Sequence, residues 1–198
     1  GDILLKDKQK YLALYGKQDV EQTLYNLVVA KFNDAISKNS QQDYEKAVVF
    51  MKNTLGEERA NNNLPNFQLK WLKAQNKWIE VFETYKKRKN EDDIEEDEMN
   101  YICWDVYLNC DNQTVITNCI EWMRDLTNKT PKYDYLDTYS FLLSKAGNKK
   151  LAIETAERGL IAAQEEGRNS KSLKKLLEEL RNSPATNNTD NQPAESEN

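Results

Sequence analysis

A repeated spacing constrains this chain more than any other feature. Apolar residues recur every three or four positions almost throughout, and no segment keeps the two-residue alternation of a strand. Four helix hairpins can be laid out in succession. Aligned on a central small or β-branched residue, their second helices bring Ala47, Val81, Cys119 and Ala152 into register. The steps are 34, 38 and 33 residues, the period of a stacked helix-turn-helix repeat. A unit of that length cannot bury its apolar side alone. It leans on the next, and the resulting array offers an extended surface to other molecules.

Residues 3–15 are expected to form a short first helix ended by Gly16, a residue suited to the left-handed position past a helix end. Val20, Leu24, Leu27, Val28, Phe32 and Ala35 mark one side of the second helix. Tyr44, Ala47, Val48, Met51 and Leu55 mark the third, closed by Gly56. Asn61-Asn62-Asn63 predicts a loop, and Pro65 the first turn of a helix carrying Phe67, Trp71 and Leu72. Its partner carries Trp78, Val81, Phe82 and Tyr85. Lys86, Lys87, Arg88 and Lys89 then crowd a helix end, and seven acids follow between Glu91 and Glu98. Cations at a helix C-terminus and carboxylates at the next N-terminus both offset the macrodipole. The run lacks the spacing of a calcium loop and reads as a solvated helix start.

The helix over 99–110 is apolar on more than one side (Met99, Ile102, Cys103, Val106, Leu108), which places it between neighbours. Val115, Cys119, Ile120, Met123 and Leu126 follow on 114–127, before Thr130-Pro131. The next hairpin has Leu136, Tyr139, Leu143 and Ala146, a tight joint at Gly147-Asn148, then Ala152, Ala156, Leu160 and Ala163 up to Gly167. A last helix with Leu173, Leu176, Leu177 and Leu180 has a charged outer face, as the end of a solenoid requires. Residues 1–182 therefore read as one all-α helical repeat domain, and 183–198, which lack any large apolar residue, as a disordered polar tail.

Several kinds of chemistry are poorly served. The chain has no histidine, which removes His-based nucleophile pairs, His general catalysis and most transition-metal sites. It has neither Gly-x-Gly-x-x-Gly nor a Walker loop, and Gly16, Gly56, Gly147 and Gly167 are accounted for by helix ends. No cofactor, metal site or catalytic residue is expected, and an enzyme is not. A net charge of −5 argues against nucleic acid as partner, and no apolar run reaches the ~20 residues of a membrane span. Cys103, Cys110 and Cys119 lack Cys-x-x-Cys spacing; Cys119 could approach Cys103 across a hairpin, but the expected role is three small buried apolar residues. The sequons at Asn112, Asn128 and Asn187 are what an Asn-rich chain yields by chance.

Leu136, Tyr139, Ser140 and Leu143, followed by Gly147, Ala152, Ala156 and Gly159, closely resemble a tetratricopeptide repeat, with Pro131 where that repeat ends the preceding unit. The resemblance implies a right-handed solenoid of antiparallel hairpins, large residues of each first helix packing on small ones of the second. The preceding unit departs from the pattern: Cys119, Met123 and Leu126 replace small residues and no glycine marks its turn. The earlier hairpins match more loosely still, and an irregular helical bundle shares some of these features.

Residues 10–20 (Lys-Tyr-Leu-Ala-Leu-Tyr-Gly-Lys-Gln-Asp-Val), the Asn76-Lys77-Trp78 turn, Leu136–Tyr139 and Leu142–Asn148 carry a second likeness. They are similar to the helical region that follows the thioredoxin-like module of certain bacterial cell-envelope thioredoxin-family proteins. That likeness implies an exported, periplasmic setting and a redox module upstream of Gly1, matching the start at Gly1-Asp2 without Met, which suggests a processed protein or excised piece. No redox motif lies in this chain to inherit that activity.

The resemblance to tetratricopeptide arrays implies a module that grips a protein or peptide through outward positions of its first helices. Those positions are Lys70, Lys73, Tyr101, Trp104, Leu108, Asp137, Phe141 and Lys145. Trp104 and Phe141 stand out because aromatic anchors dominate interface energy; the competing role for both is to fill the seam between adjacent hairpins. The alternative function is a scaffold or dimerisation domain for the thioredoxin-like module, docked on Ile3, Leu4, Leu5, Leu12 and Leu14.

Overall fold

A computed structural model describes residues 7–91 and 93–183. The expected helical turn over 3–6 and the expected tail over 184–198 lie outside the described residues, as do Ile3, Leu4 and Leu5. All described regular structure is α-helical, in ten helices, and the chain divides into two compact units, residues 1–92 and 93–198.

The first unit contains α1 (Lys8–Tyr15), α2 (Lys17–Ser37), α3 (Gln41–Leu55), α4 (Glu57–Ala74) and α5 (Trp78–Asn90). Each packs on its neighbour in sequence, and α2 also packs on α4. The 3.6-residue stripe of α2 is buried as its spacing requires: Val20, Leu24, Val28, Phe32 and Ala35. Phe32 stacks on Phe67 of α4 at 4.1 Å between ring centres and meets Tyr44 edge-on at 5.3 Å. Ring pairs like these stabilise by about 1 kcal/mol beyond their buried area.

The loop expected at Asn61–Asn63 is not there. Helix α4 runs unbroken from Glu57, with Pro65 in its interior instead of its first turn. The break falls five residues before Asn61, at Gly56, where φ 85° and ψ 159° are open only to glycine. With the chain turned there, a helix begun at once buries Ala60 beside Val28, Phe32, Ala47, Met51 and Phe67. An interior proline costs about 3 kcal/mol. Burying Phe67, Trp71 and Leu72 stabilises by roughly 2 kcal/mol or more apiece, so the continuous helix wins. Asn61 and Pro65 are both exposed, so the Asn61 carbonyl that loses its partner to Pro65 is on the solvated side.

The second unit contains α6 (Glu96–Asn109), α7 (Gln113–Lys129), α8 (Tyr133–Lys145), α9 (Lys149–Glu165) and α10 (Lys171–Asn182). Again each helix packs on the next, and α8 packs also on α6 and on α10. Ile102, Cys103 and Val106 of α6 are buried, as are Ile116, Cys119 and Met123 of α7. All three cysteines are free and buried, and the Cys103 thiol donates to the Cys119 carbonyl at 3.8 Å. The α8–α9–α10 core joins Tyr133, Leu136, Ala156, Ala163, Leu173 and Leu177. Gly159 is the point of closest approach: a Cβ there would lie 2.7 Å from Leu173 Cδ2 and 3.4 Å from Leu136 Cβ.

Four helices end in one device. Asn39, Asn76, Gly147 and Gly167 each take positive φ (51°, 54°, 79° and 65°). The next residue's N–H then bonds the carbonyl five back: Ser40 to Ala35, Lys77 to Leu72, Asn148 to Leu143, Arg168 to Ala163, at 2.8–3.0 Å. This is the Schellman arrangement, which satisfies carbonyls that a helix end would leave unpaired. The α6–α7 turn differs, with Cys110 extended and Asn112 capping α7 through a bond from Val115 N–H.

Polar contacts between successive hairpins keep the same interval. Within the first unit, Gln75 donates to Asn39 (36 apart) and Arg59 pairs with Glu21 (38 apart). Within the second, Tyr135 donates to Asp97 and Lys145 to the Tyr107 carbonyl (both 38 apart), while the α8–α9 hairpin is closed by Tyr133 N–H donating to Glu166 and by Arg168 pairing with Asp134.

Two substitutions test this packing by urea unfolding. Gly159→Ala gains about 1 kcal/mol of helix propensity but forces a methyl against a Leu173 side chain with no exposure, an overpacking cost of 1–3 kcal/mol. The expected outcome is a net loss near 1 kcal/mol; an unchanged midpoint would mean that Leu173 repacks freely. Pro65→Ala restores a helix donor while returning about 0.4–1 kcal/mol of freedom to the unfolded chain, so stability should rise by about 2 kcal/mol.

Candidate functional site

Lys70 and Lys73 stand on α4 of the first unit; the other six expected contact residues stand on α6 and α8 of the second. Lys70 is exposed with its Nζ 5.9 Å from the centre of the Phe67 ring, and Lys73 is half-buried at the same distance from the Tyr85 ring. Elsewhere in that unit a groove of about 430 Å³ lies between α2 and α3. Its charges answer each other: Asp34 pairs with Lys38, Asp43 with Lys46, and Lys31 lies 4.7 Å over the Phe50 ring.

Helices α6 and α8 pack side by side and bring their residues to one face. Tyr101 and Leu108, two turns apart on α6, are 72% and 57% exposed, unusual for such large side chains. Between them in sequence comes Trp104, half-buried, whose ring meets Phe141 of α8 edge-on at 5.4 Å. Tyr107, absent from the sequence-derived set, completes a triangle of rings at 5.0 Å from Trp104 and 5.1 Å from Phe141. Trp104 and Phe141 therefore fill the seam between adjacent hairpins on one side and keep surface on the other.

Lys145 is engaged within the molecule. Its Nζ donates to the Tyr107 carbonyl at 2.7 Å, pairs with Asp111 at 3.1 Å and lies over the Tyr107 ring. Its side chain is only 20% exposed, so it braces α8 against the end of α6.

Asp137 is the strained polar group of this face. Its Oδ1 is buried without a hydrogen-bond partner, and so is the Oδ1 of Asn100 on α6. Burial pushes the Asp137 carboxyl up to about 6; the Asp134 charge adds to this, and the nearby Tyr133 hydroxyl offsets part of it. Burial and the Cys119 contact push the Cys103 thiol well above its ordinary range, which suppresses the reactive thiolate. Among the described residues no group of three or more His, Cys, Asp or Glu side chains is arranged to hold a metal ion, and no helix is long and apolar enough to cross a membrane.

A carboxyl whose folded pKa is raised favours folding fully below its ordinary value of 3.8, and that contribution is lost as pH rises through about 6. Asp137→Asn should therefore gain stability relative to the wild-type chain at pH 7.5 but not at pH 4. Urea unfolding at both values checks this, and an equal gain at both would contradict it. Neither a known family, nor a curated protein, nor a solved structure matches the chain.

Proposed function

We propose that this chain is a non-catalytic helical-repeat module for protein–protein contact, its hairpins stacked as a short tetratricopeptide-like right-handed solenoid. The observation that carries this reading is the interval of the contacts. Helices pack on their neighbour and on the next but one, and hydrogen bonds between hairpins join residues 36 to 38 apart. Units that touch only the unit before and after leave a row of first helices free along one side, where a peptide or folded partner can lie. The exposed Tyr101 and Leu108, beside the ring triangle, favour α6 and α8 as the gripping pair.

A second role, as scaffold for a thioredoxin-like module in an exported cell-envelope protein, draws on the exposure of Leu14 and Tyr15 at the end of α1 (62% and 63%). The module reading is tested by panning a random peptide library on the full chain. Enriched peptides should lose about tenfold or more in affinity to Tyr101→Ala and Leu108→Ala, with the melting temperature unmoved, since both side chains are mostly in solvent. Peptides that bind both variants as well as the unaltered chain would sink the assignment of this face.

A further inference from the structure

Cys103 and Cys119 stand opposite each other across the α6–α7 hairpin. Cys103 lies six residues before the end of α6 and Cys119 six residues after the start of α7. Antiparallel packing therefore sets both at one height, about 9 Å from the turn. Neither has any exposed surface. The Cys103 Sγ is 3.8 Å from the Cys119 carbonyl oxygen, and the two thiol side chains also touch. Thiols already in contact need only side-chain rotation and a small closing of the helices to reach a sulfur–sulfur bond of about 2 Å. Cys110 has no such partner. It is two turns from Cys103 on the same helix, about 10 Å away, and it sits at the turn while Cys119 is well inside α7.

The place of the pair gives a bond there a purpose. Of the four hairpins, α2–α3, α4–α5 and α8–α9 close their turns with the Schellman arrangement. The α6–α7 turn does not: Cys110 is extended, and Asn112 caps only the second helix. A covalent link would fasten this hairpin from within.

We propose that Cys103 and Cys119 are a disulfide site, joined as the hairpin folds, which staples α6 to α7 and so holds in place the helix that carries the exposed Tyr101 and Leu108. The site stands apart from what the α6–α8 face binds.

The oxidant is a small-molecule disulfide. The thiolate of one cysteine attacks it, releasing one small thiolate and leaving a mixed disulfide. The second cysteine gives its proton to solvent and attacks the protein sulfur of that mixed disulfide, releasing the second small thiolate. The two cysteines have then lost two electrons and two protons, and the small disulfide has become two thiols. Exchange belongs to the open chain, because burial keeps Cys103 protonated in the closed hairpin and shuts out both reagents. The same burial seals the bond once it is made.

The test refolds the reduced full chain from urea in a mixture of reduced and oxidised glutathione, alkylates the remaining thiols and maps the peptides without reduction. Cleavage before Asp105 and Asp111 puts the three cysteines on three separate peptides. Those of Cys103 and Cys119 should be found joined, two hydrogens lighter than the free pair, with Cys110 alkylated. The linked chain should unfold at a urea midpoint about 1 M above that of the reduced chain, since the bond restrains the unfolded state. Excess reduced glutathione should break the bond about tenfold or more slowly in the folded chain than in urea. Three alkylated thiols, glutathione left on either cysteine, or Cys110 joined to either partner overturns the proposal. So does a linked chain no more stable than the reduced one, and equal rates of reduction overturn the sealing by burial.

Discussion

The arrangement depends on how a helix is stopped. A helix end leaves carbonyls unpaired, and in this chain a residue in the left-handed conformation lets the next N–H reach back to one of them. The device at Asn39, Asn76, Gly147 and Gly167 ends four of the helices and reverses the chain within three to five residues. So short a reversal leaves the following helix no choice but to lie antiparallel against the last. Small residues then let the pair close: Ala47, Ala152, Ala156 and Gly159 are all buried, and at Gly159 not even a methyl fits. Within each unit, helices also pack on the next but one: α2 on α4 in the first, and α8 on both α6 and α10 in the second.

Much of this was legible in the residues. Alignment on Ala47, Val81, Cys119 and Ala152 selects four positions that are essentially inaccessible, because a period of about 34 residues and a period of 3.6 together fix which side of each second helix faces inward. The four glycines assigned to helix ends all have positive φ. The failure at Asn61–Asn63 and Pro65 is instructive. Local preference there favours a loop, but Gly56 had already turned the chain, and the burial of Ala60 and Phe67 outweighs a proline's cost. Asn39 carried no warning either: asparagine tolerates the left-handed region, but little in its neighbours distinguishes it from the chain's many others.

The candidate face was legible only in part. Periodicity tells which residues share a side of one helix; it does not tell which meet across two. Tyr107 closes the ring triangle because α6 and α8 pack in one particular register, and Lys145 is drawn down onto Asp111 because the α6–α7 turn brings that carboxylate within reach. The orphaned oxygens of Asn100 and Asp137 are still further from the sequence, since a missing partner is a property of everything around a group. The surface ion pairs, such as Lys129–Glu96 and Arg181–Glu157, contribute little to stability by comparison, being well exposed.

The single-residue elbows have a consequence for how such a chain can change length. Gly16 and Gly56 take nearly the same backbone angles and each joins two helices with nothing to spare. One extra residue at Gly56 would rotate α4 by about 100° about its axis and carry Ala60 and Phe67 out of the aromatic core. The longer connections at 110–112, 130–132 and 166–170 would absorb an extra residue with less displacement, whereas the elbows fix the rotation of one helix against the next much as a fixed tooth spacing holds a gear.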